Sequence, residues 1–181
     1  MKKILLFTAI LFASITMGNA QTASDNATLT LKLYPVQAIM VNPNQKSVVL
    51  DYNSISKYRD GVSLLMMDHL TVFSTGGFEV KARSSKGPTI GSEAGDKSIM
   101  STSFNVIASE GSKNPLRSNY GSVSLNDADG DNLISNHAGA GNNTFNITYA
   151  GLGNYGFINS LVEGGNPTVY QTEVIYTITP L

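Results

Sequence analysis

Apolar and polar residues alternate with a period of two in segment after segment of this 181-residue chain, and no stretch beyond residue 20 sustains a helical spacing. Neighbouring side chains on a strand point to opposite faces, so this pattern suits sheets with one buried and one solvated side. Leu29, Leu31 and Leu33 share one face of residues 27–34, with Thr28, Thr30 and Lys32 on the other. Pro35 interrupts, an apolar run covers residues 36–41, and Asn42-Pro43-Asn44-Gln45 reads as a turn. Val48, Leu50 and Tyr52 alternate next, followed by Phe104, Val106 and Ala108 within residues 99–108, and by Phe145, Ile147 and Tyr149 within residues 144–150. The longest set closes the chain, with Tyr170, Thr172, Val174, Tyr176 and Ile178 on one face.

Turn chemistry separates these strands. Ser74-Thr75-Gly76-Gly77 lies between residues 70–73 and 78–82, and paired glycines accept the positive φ angles of a tight hairpin. Residues 84–97, 109–120 and 138–143 read as loops, and Val123–Leu125 and Leu133-Ile134 as short strands. Many short strands with turn signals between them predict one all-β domain, an antiparallel immunoglobulin-like (Greek-key) β-sandwich.

Residues 1–20 have the three parts of a secretory signal: Lys2-Lys3, the apolar run 4–13, and Gly18-Asn19-Ala20 before Gln21. The apolar run is shorter than the roughly 20 residues that span a bilayer. The expectation is a cleaved signal peptide, 1–20, and a sandwich domain, 21–181, exported to the periplasm, cell surface or medium with no transmembrane segment. There is no cysteine anywhere, so packing and ladder hydrogen bonds must hold the domain together, and a thiol nucleophile or thiolate metal site is excluded.

Charged residues make up only 14% of the chain, against about 25% in an average protein. Every Lys and Arg lies at or before Arg117, whereas Asp127, Asp129, Asp131, Glu163 and Glu173 follow it. An acidic C-terminal part disfavours nucleic acid, which is held by clustered Lys and Arg. It suits a cation or a basic partner, or simply a weakly charged surface.

The sharpest local feature is Asn126-Asp127-Ala128-Asp129-Gly130-Asp131-Asn132. Alternate carboxylates in a glycine turn can aim several oxygens at one Ca²⁺, which makes Asp127, Asp129 and Asp131 the candidate metal ligands and calcium the candidate cofactor. An EF-hand loop would want glycine where Asn132 stands and an acidic residue where Ala138 stands, so an Asx-rich turn is the competing reading. His69 and His137 are the only histidines; a Ser-His-Asp arrangement would draw on His69 and Asp68, but no Gly-x-Ser-x-Gly elbow accompanies them. Paired carboxylates could serve a glycosidase, yet there is no Trp to supply a sugar platform. Tyr155, among glycines in residues 151–156, is the aromatic placed on a loop tip.

Residues 29–42, the segment Ser74-Thr75-Gly76-Gly77-Phe78 and the closing strand 170–180 resemble small secreted β-sandwich proteins of Bacteroidota. The closing strand is also similar to the end of WxL-type surface domains, with Tyr176-Thr177-Ile178 in place of Trp-x-Leu and Pro180 following. That resemblance implies a non-catalytic, envelope-associated module that binds cell-wall polymer. The alternating last strand and extended N-terminal segment more weakly resemble exported pilus subunits, without their disulfide or penultimate tyrosine.

Together these readings predict a non-enzymatic exported cell-envelope or cell-surface protein, a structural or adhesive sandwich. Its expected partners are cell-wall polysaccharide, other surface proteins or further copies of itself. A peptidoglycan- or polysaccharide-binding module is the alternative, and a secreted hydrolase a remote one.

Overall fold

A computed structural model of the chain describes residues 22–114, 117–125, 130–164 and 167–181. The signal-peptide expectation for residues 1–20 lies outside them. Contacts divide the chain after Leu33 into two units. In the first, residues 22–33 form no helix and pair with no strand. Leu29, Leu31 and Leu33 are 96%, 77% and 82% exposed. The alternation is that of a strand, but a strand exists only against a ladder partner, and among the described residues this one has none.

The second unit is an antiparallel sandwich. One sheet has the order β1-β2-β10-β6-β8, built from Gln37–Val41, Val62–Ser74, Ala140–Gly151, Phe104–Glu110 and Ser122–Ser124. The other has the order β11-β3-β9-β7, from Val174–Pro180, Phe78–Ser84, Asp131–Asn136 and Asn119–Tyr120. A two-stranded sheet pairs β4 (Thr89–Gly91), inside the expected loop 84–97, with β5 (Ser98–Met100), just after it, and buries Ile90 and Ile99. The core is filled from both layers: Leu70, Val72, Val106, Phe145 and Ile147 face Phe78, Val80, Ala82, Leu133 and Ile134. Phe78 and Phe145 meet edge to face with centroids 6.5 Å apart, the arrangement favoured by the ring quadrupoles.

The Gly76-Gly77 segment is not the expected hairpin. β2 and β3 belong to different sheets, so the turn carries the chain from one layer to the other. Neither glycine has positive φ. Gly77 is small because a Cβ there would sit 3.1 Å from the His137 carbonyl oxygen. The expected last strand is shorter too: pairing with β3 begins at Val174, and Tyr170 makes only an isolated bridge to Ser92. Val174, Tyr176 and Ile178 do face the core, half-buried at the sheet's end.

Val48, Leu50 and Tyr52 alternate in burial as the sequence suggests, but no strand pairs with them. They lead into a helix that the periodicity did not signal, α1 (Ile55–Asp60). Its caps were there to be read: the Ser54 side chain accepts from the Lys57 N–H, and Gly61, at φ +84°, ends the turn. Leu133 and Ile134, adjacent in sequence, are both buried because the β3–β9 register slips between Val80 and Lys81. The slip makes Leu133 the extra residue of a bulge, which turns its side chain inward.

Candidate functional site

The most unusual polar feature of the interior is centred on His69. Simple alternation from Leu70 and Val72 would point it away from the core. A second irregularity reverses that: β2 carries residues 67–69 where β10 carries only Asn146. Asp68, at φ +49°, makes the bend, a conformation Asp tolerates better than most residues. The Asn146 Oδ1 accepts from the Asp68 N–H at 2.7 Å, and its amide nitrogen donates to the Glu110 carbonyl. The Asp68 carboxylate accepts from the Ser112 N–H at 2.7 Å, the Ser112 hydroxyl at 2.6 Å and the Thr144 hydroxyl at 2.7 Å. These bonds, the Ser112 hydroxyl foremost, hold its carboxyl below the usual carboxylate range.

The bulge leaves His69 2% exposed. Its Nδ1 lies 3.0 Å from Gln45 Oε1 and its Nε2 2.7 Å from the Tyr149 hydroxyl, which in turn lies 2.7 Å from the Tyr176 hydroxyl. Gln45 fixes the direction of the chain. Its amide nitrogen donates to the Met67 carbonyl at 2.9 Å, so its oxygen faces His69 and Nδ1 must carry the proton. Tyr149 then donates to Nε2, and Tyr176 donates to Tyr149. This relay joins the turn after β1 to β2, β10 and β11, and so ties the two sheets together where their end strands meet. Burial pushes His69 below its ordinary value and both tyrosines above theirs, Tyr176 most of all.

The arrangement stores hydrogen bonds rather than presenting a reactive group. Both ring nitrogens of His69 are engaged, and the Asp68 carboxylate is held by Ser112 and Thr144 rather than by the ring, so the Ser-His-Asp grouping imagined from sequence is not assembled. Among the described residues, every buried side-chain nitrogen and oxygen has a partner. Of the candidate calcium ligands, Asp127 and Asp129 lie outside the described residues. Asp131 opens β9 opposite Ala82. No three Asp, Glu or His side chains converge as a metal site would need among the described residues.

The described surface carries two further features. A polar cleft is lined by Ser85, Lys86, Ser92, Glu93, Thr172 and Glu173. At the loop after β10, Asn154 and Tyr155 both take positive φ and present Tyr155 to solvent, as the sequence suggests, beside the exposed Ile158 and Leu161. Behind that loop Tyr52 meets Tyr58 and Phe157 edge to face, with centroids 5.4 and 5.1 Å apart. Among the described residues no helix is long and apolar enough to cross a membrane. Compared with known proteins, the chain matches no family model and no curated protein sequence.

Proposed function

We propose that this chain is an exported, non-enzymatic protein of the cell envelope or surface, a structural or adhesive sandwich of immunoglobulin-like kind that works by contact. The observation that carries the reading is the row of Leu29, Leu31 and Leu33, displayed to solvent in strand spacing. The sandwich of the second unit fills its core with its own residues, from Leu70 to Ile147, and none of these leucines is among them. Isolated exposed apolar residues need no explanation, but an ordered row with one polar face marks an interaction element. The residues 1–20 supply the export half of the reading.

The test is fractionation of the producing cell with an antibody to the sandwich, combined with N-terminal sequencing and protease treatment of intact cells. The expected result is protein beginning at Gln21 in the envelope or medium. Protein that keeps Met1 and stays in the cytoplasm overturns the reading.

Polysaccharide binding is the second reading, favoured by the Tyr155 loop with its aromatic backing. Retardation of the protein in gels containing soluble cell-wall polymer, lost in Tyr155→Ala, would support it.

A further inference from the structure

We infer that α1 and the loop after β10 form a docking face for a second copy of this chain, so that the protein pairs as a closed two-fold dimer through this end of the sandwich. The inference rests on the contact reading above and names a partner for it, on a surface separate from the leucine row.

The loop is built as a rigid platform. Asn154 and Tyr155 donate their N–H groups to the Arg59 and Tyr58 carbonyls at 2.6 and 2.8 Å. Gly156, Ile158 and Ser160 donate in turn to the carbonyls of Gly153, Tyr155 and Phe157, each three residues back. Loop and helix end also pack backbone to backbone. A Cβ on Gly61 would sit 2.8 Å from the Gly151 carbonyl oxygen, and one on Gly153 would sit 2.7 Å from the Asp60 carbonyl carbon. Phe157 turns inward, its ring centroid 5.1 Å from that of Tyr52 and 6.0 Å from that of Phe104. The Tyr170 hydroxyl donates to the Ser160 carbonyl, which brings neighbouring Val169 to the same end. A face held this way loses little freedom when a partner lands on it.

What faces out is apolar. Leu152, Tyr155, Ile158 and Leu161 recur every three residues along the loop, with Ile55 of α1 and Val169 on the same end. Their exposure runs from 39% at Leu152 to 79% at Ile55, and none of the six belongs to the core. At roughly 100 Å² apiece they leave about 600 Å² of apolar surface uncovered, the top of the range for the largest patch on a monomer. One partner in a standard interface buries about 800 Å², of which about 65%, or roughly 520 Å², is apolar in a homodimer. The patch is large enough to hold a dimer.

Charge selects the partner. Lipid head groups and nucleic acid are held by clustered Lys and Arg. Residues 55–60 and 152–164 carry Lys57 and Arg59 against Asp60 and Glu163, so these segments have no net charge. Arg59 is held 2.7 Å from Asp60, and Lys97, which reaches the loop from β5's side, donates to the Asn159 carbonyl at 3.1 Å. A neutral apolar face meets its own copy without like-charge repulsion. One patch on itself is an isologous contact, so it closes at two copies and does not propagate.

The test is the solution mass of protein beginning at Gln21, read by light scattering and sedimentation over a range of concentrations. At about 100 μM the expected mass is that of two chains, with no growth beyond two as the concentration rises. Ile158→Asp sets a charge in the contact and should weaken pairing by at least about tenfold. Its melting temperature, measured below the pairing concentration, should equal the parent's, because Ile158 is exposed in the single copy. Leu161→Asp should do the same, and Leu31→Asp should leave the dimer intact. A monomer at that concentration, a mass beyond two chains, or a dimer that survives both loop variants or is lost in Leu31→Asp overturns the inference. A monomer retarded by soluble cell-wall polymer through Tyr155 also overturns it, and leaves the surface reading standing, which the fractionation decides separately.

Discussion

Acid should loosen this protein through one residue. His69 is buried and neutral, with Nδ1–H given to Gln45 and Nε2 accepting from Tyr149. Protonation would turn Nε2 into a donor. Tyr149 would then have to accept from it and donate to Tyr176, and the Tyr176 proton would lose its acceptor. Beyond this reversal the imidazolium would be buried, with Asp68, the adjacent carboxylate, already committed to Ser112 and Thr144. The folded-state value of His69 therefore lies below its ordinary one.

The sign follows from linkage. The unfolded chain binds the proton first, near pH 6.5. The stabilisation is fully present above that point and falls as the pH drops toward the depressed folded value. Across that window the loss is about 1.4 kcal/mol per pH unit, one proton's worth. For a domain of this size that lowers the melting temperature by roughly 3–6 °C per unit. Asp68, with its carboxyl held low, contributes stability that is lost only under more acidic conditions, so the two effects separate. The assay is calorimetry from pH 7.5 to 5 on the parent and on His69→Phe, which keeps His137. The parent should lose stability below about pH 6.5, whereas His69→Phe should start lower and change little over the same range. A flat parent profile, or an equal slope in His69→Phe, would refute the reasoning.

Phe145→Ala removes the ring packed on Phe78 and should cost about 3–5 kcal/mol in a denaturant titration, whereas Val49→Ala at an exposed position should lie within about 0.5 kcal/mol of the parent. Asp68→Ala leaves the Ser112 and Thr144 hydroxyls without their acceptor and releases the β2 bulge; a loss of about 1–3 kcal/mol is expected, with faster amide exchange at residues 66–70. Gly111→Ala would bring a Cβ to 2.4 Å from the Thr144 carbonyl oxygen, forcing the backbone apart at a cost of about 1–3 kcal/mol in the same titration. If Asp127, Asp129 and Asp131 bind Ca²⁺, millimolar calcium raises the melting temperature and Asp129→Ala abolishes the rise; an unchanged transition leaves the loop an Asx-rich turn.

The periodicity of this sequence determined that the fold would be a sandwich of short antiparallel strands, because a period of two can bury an apolar face only in a sheet. It also determined which residues of the regular strands would turn inward, such as Val80 and Ala82, Val106 and Ala108, or Val174, Tyr176 and Ile178. The irregular positions were decided elsewhere. His69 is inside because three residues of β2 stand against one of β10, and Leu133 because it is the one extra residue of β9 against β3; such irregularities are set by how two distant strands register. Whether Gly76-Gly77 made a hairpin or a crossing between layers depended on which partners β2 and β3 found, β1 and β10 for one, β9 and β11 for the other. Residues 27–34 show the limit most plainly. Their strand pattern is complete in the sequence, yet ladder hydrogen bonds are made between segments, and a segment's own residues cannot say whether its partner lies in the same chain.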